Sequence, residues 1–169
     1  GNTATYGGGS SYGTLTNCTI TGNTAGSWGG GSCRGNLTNC TISGNTASNY
    51  GGGTDWSNLT NCTISGNTAS KYDGGGASGC TLTNCTISGN TATRDGGGTY
   101  NSTLRNCTIS GNTAANGGGA YYSTLTNCTL WGNISKTGRE QIENTTQYVL
   151  STVAWQADST SSFTADGLT

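Results

Sequence analysis

The eleven residues LTNCTISGNTA stand at positions 37–47, again at 59–69 and again at 82–92, with near copies on either side. This repetition constrains the fold more than any other feature, because a unit recurring at so short a period must bury its apolar face against copies of itself. Aligned on the cysteine, the copies fall at Cys18, Cys40, Cys62, Cys85, Cys107 and Cys128, spaced by 22, 22, 23, 22 and 21 residues. Glycine triplets at 7–9, 29–31, 51–53, 74–76, 96–98 and 117–119 keep the same beat. All the length variation falls between GNTA and the next triplet, so that segment reads as a surface loop and the rest as register-locked.

A period of about 22 residues is too short for two packed helices, and Thr, Asn, Gly and Ser are poor helix formers. The unit suits one turn of an all-β, right-handed parallel β-helix (a β-solenoid) of about six coils, each of three short strands joined by bends. Within CTIS the side chains alternate, so Cys18 and Ile20 point inward while Thr19 and Thr21 face solvent. Leu15 also points inward, yet it precedes the cysteine by three residues, so a bend must separate them. Asn17, Asn39, Asn61, Asn84, Asn106 and Asn127 occupy that bend, where Asn tolerates the left-handed region and its amide can bond along the stack. A second column, Asn2, Asn23, Asn45, Asn67, Asn90, Asn112 and Asn133, follows a glycine each time. Six coils at the strand spacing make a rod of roughly 30 Å.

From Ile134 the repeat fades. Residues 1–133 therefore form the β-helix repeats and 134–169 a C-terminal capping or subunit-joining segment, with Val149, Leu150, Val153 and Trp155 as its assembly residues. The chain opens at Gly1 within a repeat, which reads as a piece of something longer or as an end on which another molecule stacks.

Composition narrows the function. His, Met and Pro are absent, 8% of residues are charged and the net charge is -1, so no basic face for nucleic acid exists. No run of about 18 apolar residues would span a membrane. Without His, triads and His-based metal sites are excluded. Sugar acid–base chemistry needs paired carboxylates, and only Asp73 and Asp95 stack as neighbours, beside Lys71 and Arg94, as a surface ion-pair ladder. These features predict a chain that is not an enzyme and carries no cofactor or metal.

The cysteine column reads as small buried hydrophobes, with disulfides between adjacent coils left open. Cys33 and Cys80 lie outside it, two coils apart at about 9.6 Å, as thiols or as links to another chain. The outward threonines form a regular lattice: Thr16, Thr38, Thr60, Thr83 and Thr126 on one face, Thr19, Thr41, Thr63, Thr86 and Thr108 on the next. Such a face keeps a weakly charged rod soluble, and it could also carry glycans or bind ice or sugars, although Arg105 and Trp131 interrupt it. The NCT triplets match an N-glycosylation pattern, but their asparagines are expected to turn into the bend. Aromatics gather beside the triplets, among them Trp28, Tyr50, Trp56, Tyr100 and Tyr121, where they stack on one another or on sugar rings.

GNTA followed by GGG, with Ile20, Ile42, Ile64, Ile87, Ile109 or Leu130 three residues before the Asn, resembles the paired GGA(I/L/V) and FxxN repeats of the polymorphic outer-membrane protein family. The wording TLTNCTISGNTA is similar to long repeat proteins of bacterial surfaces with right-handed β-helices. The resemblance covers residues 1–133 and implies a secreted or surface-displayed adhesin, stalk or fibre, with no catalytic residues in these motifs. The expected protein is thus an extracellular or cell-surface rod, whose partners are further repeats or copies of itself stacked head to tail. A glycan- or ice-binding module is the alternative, and a polysaccharide lyase or hydrolase is disfavoured.

Overall fold

The computed structural model describes residues 1–138, 141–143, 145–148 and 152–154, with 146–148 and 152–154 as backbone alone. Among them the chain winds as a parallel β-solenoid whose strands stack into four sheets of seven. Each coil therefore has four sides, where three strands were expected. In the third coil the sides are Thr46–Ala47, Thr54–Asp55, Asn58–Thr60 and Thr63–Ser65. The additional side is the short strand after each triplet, which sequence periodicity hides because only two residues alternate there.

The corners explain the geometry. Positive φ recurs in steps of five residues, at Gly29 (64°), Arg34 (56°), Asn39 (54°) and Gly44 (59°), and the pattern repeats in the next coil at Gly51, Trp56, Asn61 and Gly66. Asn and Gly enter this region at little cost. The middle glycine of a triplet has a different reason: a Cβ on Gly52 would collide with the backbone of Thr68 and Gly75. Pairing is in register along the leucine sheet, as in Leu37↔Leu59↔Leu82, and along the isoleucine sheet, as in Ile42↔Ile64↔Ile87. These side chains, with the alanines of GNTA, fill a core in which Leu82, Leu104, Ile64 and Ile87 are wholly buried.

A sharp turn leaves the next backbone N–H pointing inward, beyond reach of the neighbouring strand's carbonyls, and a buried N–H without a partner is costly. Three corners solve this identically, with a side chain from the following coil. After the glycine corner, Asn67 Oδ1 accepts from both the N–H (2.9 Å) and Nδ2 (3.0 Å) of Asn45. Asn67 Nδ2 in turn donates to Ile42 O and to Asn90 Oδ1, both at 3.0 Å, so every polar atom of this fully buried amide is used. After the asparagine corner, the N–H of Cys40 donates to Cys62 Sγ at 3.4 Å, and Cys62 donates to Thr60 O at 3.3 Å. After the third corner, the N–H of Ser57 donates to Cys80 Sγ at 3.4 Å and that of Cys80 to Ser102 Oγ at 3.1 Å.

The cysteines are therefore hydrogen-bond relays as well as small apolar side chains, and none of the eight forms a disulfide. Cys80 stands where Ser57, Ser102 and Ser123 stand in other coils, whereas Cys33 is in register with Asp55. They occupy different columns, which corrects the expectation that the two stack. Both are buried, so neither is placed to link another chain.

The corner asparagines are exposed rather than folded into the bend, because the left-handed turn swings their side chains outward. Their amides bond up the stack from Asn61 to Asn39 (3.3 Å), Asn84 to Asn61 (3.2 Å), Asn106 to Asn84 (3.2 Å) and Asn127 to Asn106 (2.7 Å).

Past Ser110 and Asn133 the coils continue: Ile134–Ser135, Ile142–Glu143, Thr146–Tyr148 and Thr152–Ala154 each add a strand to one of the four sheets. Val153 lies in the last of these, its backbone opposite Leu130. Val149, Leu150 and Trp155 lie outside the described residues. Among the described residues no helix is long and apolar enough to cross a membrane.

Candidate functional site

Side chains of the strand after the triplet, of the loop before it and of the corner that follows converge in a cleft. Asp55 and Ser78, in register on adjacent coils, form its floor with Tyr100. Trp28 and Tyr50, bridged backbone to backbone, make one wall. Arg34, Trp56 and Asn101, all at the positive-φ corner, make the other. The cleft encloses about 330 Å³. A smaller one of about 220 Å³ continues it past Trp28 and Arg34 to Tyr6 and Tyr12.

The aromatics pack against each other in part: Tyr50 stacks on Tyr72 at 5.6 Å and Tyr100 on Tyr121 at 6.1 Å. Trp56 differs, with 61% of its surface exposed. Its indole covers Gly79, where a Cβ would lie 3.1 Å from two ring carbons. Arg34 Nη1 donates to Tyr12 Oη at 2.6 Å and its guanidinium lies over that ring.

Asp55 supplies the carboxyl of the cleft. Burial pushes it up to about 7, against the opposing pull of a hydrogen bond with Ser78 and of the Arg34 charge. The same burial raises the Cys33 thiol beside it, and Asp55 adds to that rise.

Asp73 and Asp95 do stack, but the two residues are buried rather than on the surface. The N–H of Asp95 donates to Asp73 Oδ1 at 3.2 Å, and Arg94 spans both carboxylates at 3.9 and 3.8 Å. Asn116 Nδ2 donates to Asp95 Oδ1 at 2.7 Å. Burial raises Asp73 above the ordinary carboxylate range, with Arg94 opposing. Lys71 is not among these partners.

The threonine faces point to solvent. Thr16, Thr38, Thr60, Thr19, Thr41, Thr63 and Thr86 are exposed, and Thr83, Thr126 and Thr108 are half-buried. Arg105 lies in register between Thr83 and Thr126, and Trp131 opposite Ser110, so the lattice is broken at the two upper coils. Sequence reasoning had named the aromatics but not their convergence with Asp55, since nothing in the repeat marks the corner at which Trp56 turns.

A four-sided stack of short parallel strands, held by side-chain ladders and clothed in hydroxyls, defines a repetitive β-solenoid protein. The family model described as "Periplasmic copper-binding protein (NosD)" matches residues 2–167, and the chain belongs to that family. A search of curated proteins finds no match. The expectation of a β-helix repeat protein therefore holds, with NosD as the family.

Proposed function

We propose that the chain is a structural β-solenoid working outside the cytoplasm, a rod segment of a periplasmic or surface-displayed protein, and not an enzyme. The observation that carries this reading is the buried asparagine column. From Asn2 to Asn133 each coil is tied to the next by an amide whose donors and acceptors point along the axis. Such a column stiffens the stack and adds no chemistry of its own. Further coils, of a longer chain or of a second copy stacked head to tail, extend it by the same bonds. Against catalysis, Asp55 has no second carboxylate in its cleft, and Asp73 and Asp95 are bound to Arg94 and Asn116.

The family description raises copper, and the residues described do not fit a copper centre. The chain has no His or Met, and no three of Cys, Asp and Glu cluster among the described residues. Copper held by sulfur needs thiolates, yet the sulfurs of Cys62 and Cys80 are engaged with backbone groups.

Duplicating the three coils 40–106 tests the rod. The longer chain should unfold in one transition and, by small-angle scattering, lengthen by roughly 14 Å at ~4.8 Å per coil. Failure to fold, or stoichiometric uptake of Cu(I) by the folded wild-type chain against a competing chelator, would overturn this reading.

A further inference from the structure

We propose that the cleft walled by Trp56 on one side and by Trp28 and Tyr50 on the other binds a saccharide, seating one or two pyranose rings over Asp55, Arg34 and Asn101. The rod reading requires nothing at this position, so the two stand or fall separately.

The corner at Trp56 departs from the economy of the rest of the coil. Two corners per coil hold only Gly or Asn where an apical residue at positive φ is needed, and the corner opening each triplet is always Gly. Here Tyr12 (58°), Arg34 (56°), Trp56 (49°) and Tyr122 (50°) adopt the same conformation. A Cβ in this region is strained, crowding the following carbonyl oxygen. Gly79 and Asn101 show that the corner accepts the cheaper residues. At Tyr12, Arg34 and Tyr122 neighbouring contacts offset part of the strain: Arg34 bonds and covers Tyr12, and Tyr122 packs edge-on to Tyr121. Trp56, 61% exposed, is the large ring held at the surface at the expense of the fold, and exposed apolar surface of this kind marks contact with another molecule.

The ring of Trp56 is seated against Gly79 with 61% of the residue exposed, which leaves it available as a platform. An indole face attracts polarised C–H groups and excludes water from them. The floor rejects a purely apolar guest, because Asp55 and Ser78 line it. A phosphate or sulfate would meet the Asp55 carboxyl, and an ammonium the Arg34 guanidinium. A neutral molecule with one apolar face and an edge of hydroxyls satisfies every wall: the carboxyl oxygens and the Asn101 carbonyl accept from hydroxyls, while guanidinium and amide N–H groups donate to them. A pyranose has that anatomy. The 330 Å³ of the cleft lies at the small end of ligand sites, where one or two rings fit.

The test follows the indole NMR signal of Trp56 during titration with β-linked disaccharides of glucose, N-acetylglucosamine and galactose, each beside its open-chain alditol and beside phenol. Saturable shifts with at least one disaccharide, smaller for the alditol, are expected. Trp56→Ala should bind about tenfold more weakly with the unfolding midpoint kept, and Trp56→Phe should recover part of the loss. For these variants binding is read from Asn101 and Tyr100 amide shifts. No shift with any disaccharide into the millimolar range, undiminished binding by Trp56→Ala, or tighter binding of phenol than of any sugar would each overturn the assignment.

Discussion

Gln141 Oε1 accepts from both the N–H (3.2 Å) and the Nδ2 (3.1 Å) of Asn133, the two bonds that the next asparagine supplies to each of Asn23, Asn45, Asn67, Asn90 and Asn112. The asparagine column thus ends on a glutamine only 8 residues further on, where a full coil would need some 22. Gln141→Ala strips two buried donors of their acceptor, at about 1–3 kcal/mol. Amide exchange at Asn133 should speed up while that of Asn45 stays unchanged. Equal protection in the variant would show that the cap contributes nothing.

Within the column, Asn67→Asp replaces a two-donor amide by a carboxylate facing Ile42 O and Asn90 Oδ1, both acceptors. A loss of at least about 3 kcal/mol is expected, larger at neutral pH than in acid, where the protonated carboxyl recovers one donor. Denaturant midpoints at the two pH values measure it.

The relay role of sulfur separates two substitutions at Cys62. Serine keeps an acceptor for the N–H of Cys40, and valine keeps only the apolar volume. Cys62→Val should be the less stable by about 1 kcal/mol or more, and Cys80→Ser, which copies Ser57 and Ser102, should be close to neutral. A valine variant as stable as serine would return the column to simple hydrophobic filling.

Asp55 makes stability depend on pH. Its folded value, about 7, lies above the ordinary carboxylate range near 4, so its contribution is full below about pH 4 and lost as pH rises through about 7. Three units correspond to a loss on the order of 4 kcal/mol. The groups facing it, Arg34, Ser78, Cys33 and Cys80, add no carboxyl to the same window. Asp55→Asn should flatten the profile and stabilise the protein at pH 8, as read by thermal unfolding across that range.

Among the described residues the buried Ser32 Oγ has no hydrogen-bond partner, whereas Thr54, in register on the next coil, has a side-chain hydrogen bond with Cys80 and Thr99 Oγ1 reaches Ser123 Oγ at 3.3 Å. Ser32→Ala, which copies Ala77 and Ala120 of the same column, should therefore stabilise by about 1–2 kcal/mol, whereas Thr99→Val should not. Chemical denaturation of both variants decides it.

Much of this fold was legible because stacking forces each position to repeat. The period gave the coil, the alternation in CTIS gave Ile64 inward and Thr63 outward, and the two asparagine columns were visible as columns. What repetition could not convey was the difference between positions that vary. Tyr12, Arg34, Trp56, Gly79, Asn101 and Tyr122 share a single backbone conformation with no shared chemistry, so the fourth side stayed hidden. Cys80 looked like a stray cysteine because its column holds glycine or serine in the other coils, Gly13, Gly35, Ser57, Ser102 and Ser123. The cleft was illegible for the same reason: Trp28, Asp55 and Trp56 come from two coils, and only register brings them together.

Unequal sides have a last consequence. Five residues separate successive corners on three sides, while the fourth runs seven residues from Gly44 to Gly51, eight from Gly66 to Gly74 and six from Gly111 to Gly117. Length can change there without moving any other column, since the chain returns to the same corner glycine. Inheritance can thus rewrite one long margin of the molecule, coil by coil, while three remain fixed text. The margin open to revision carries the wall that Trp28 and Tyr50 build.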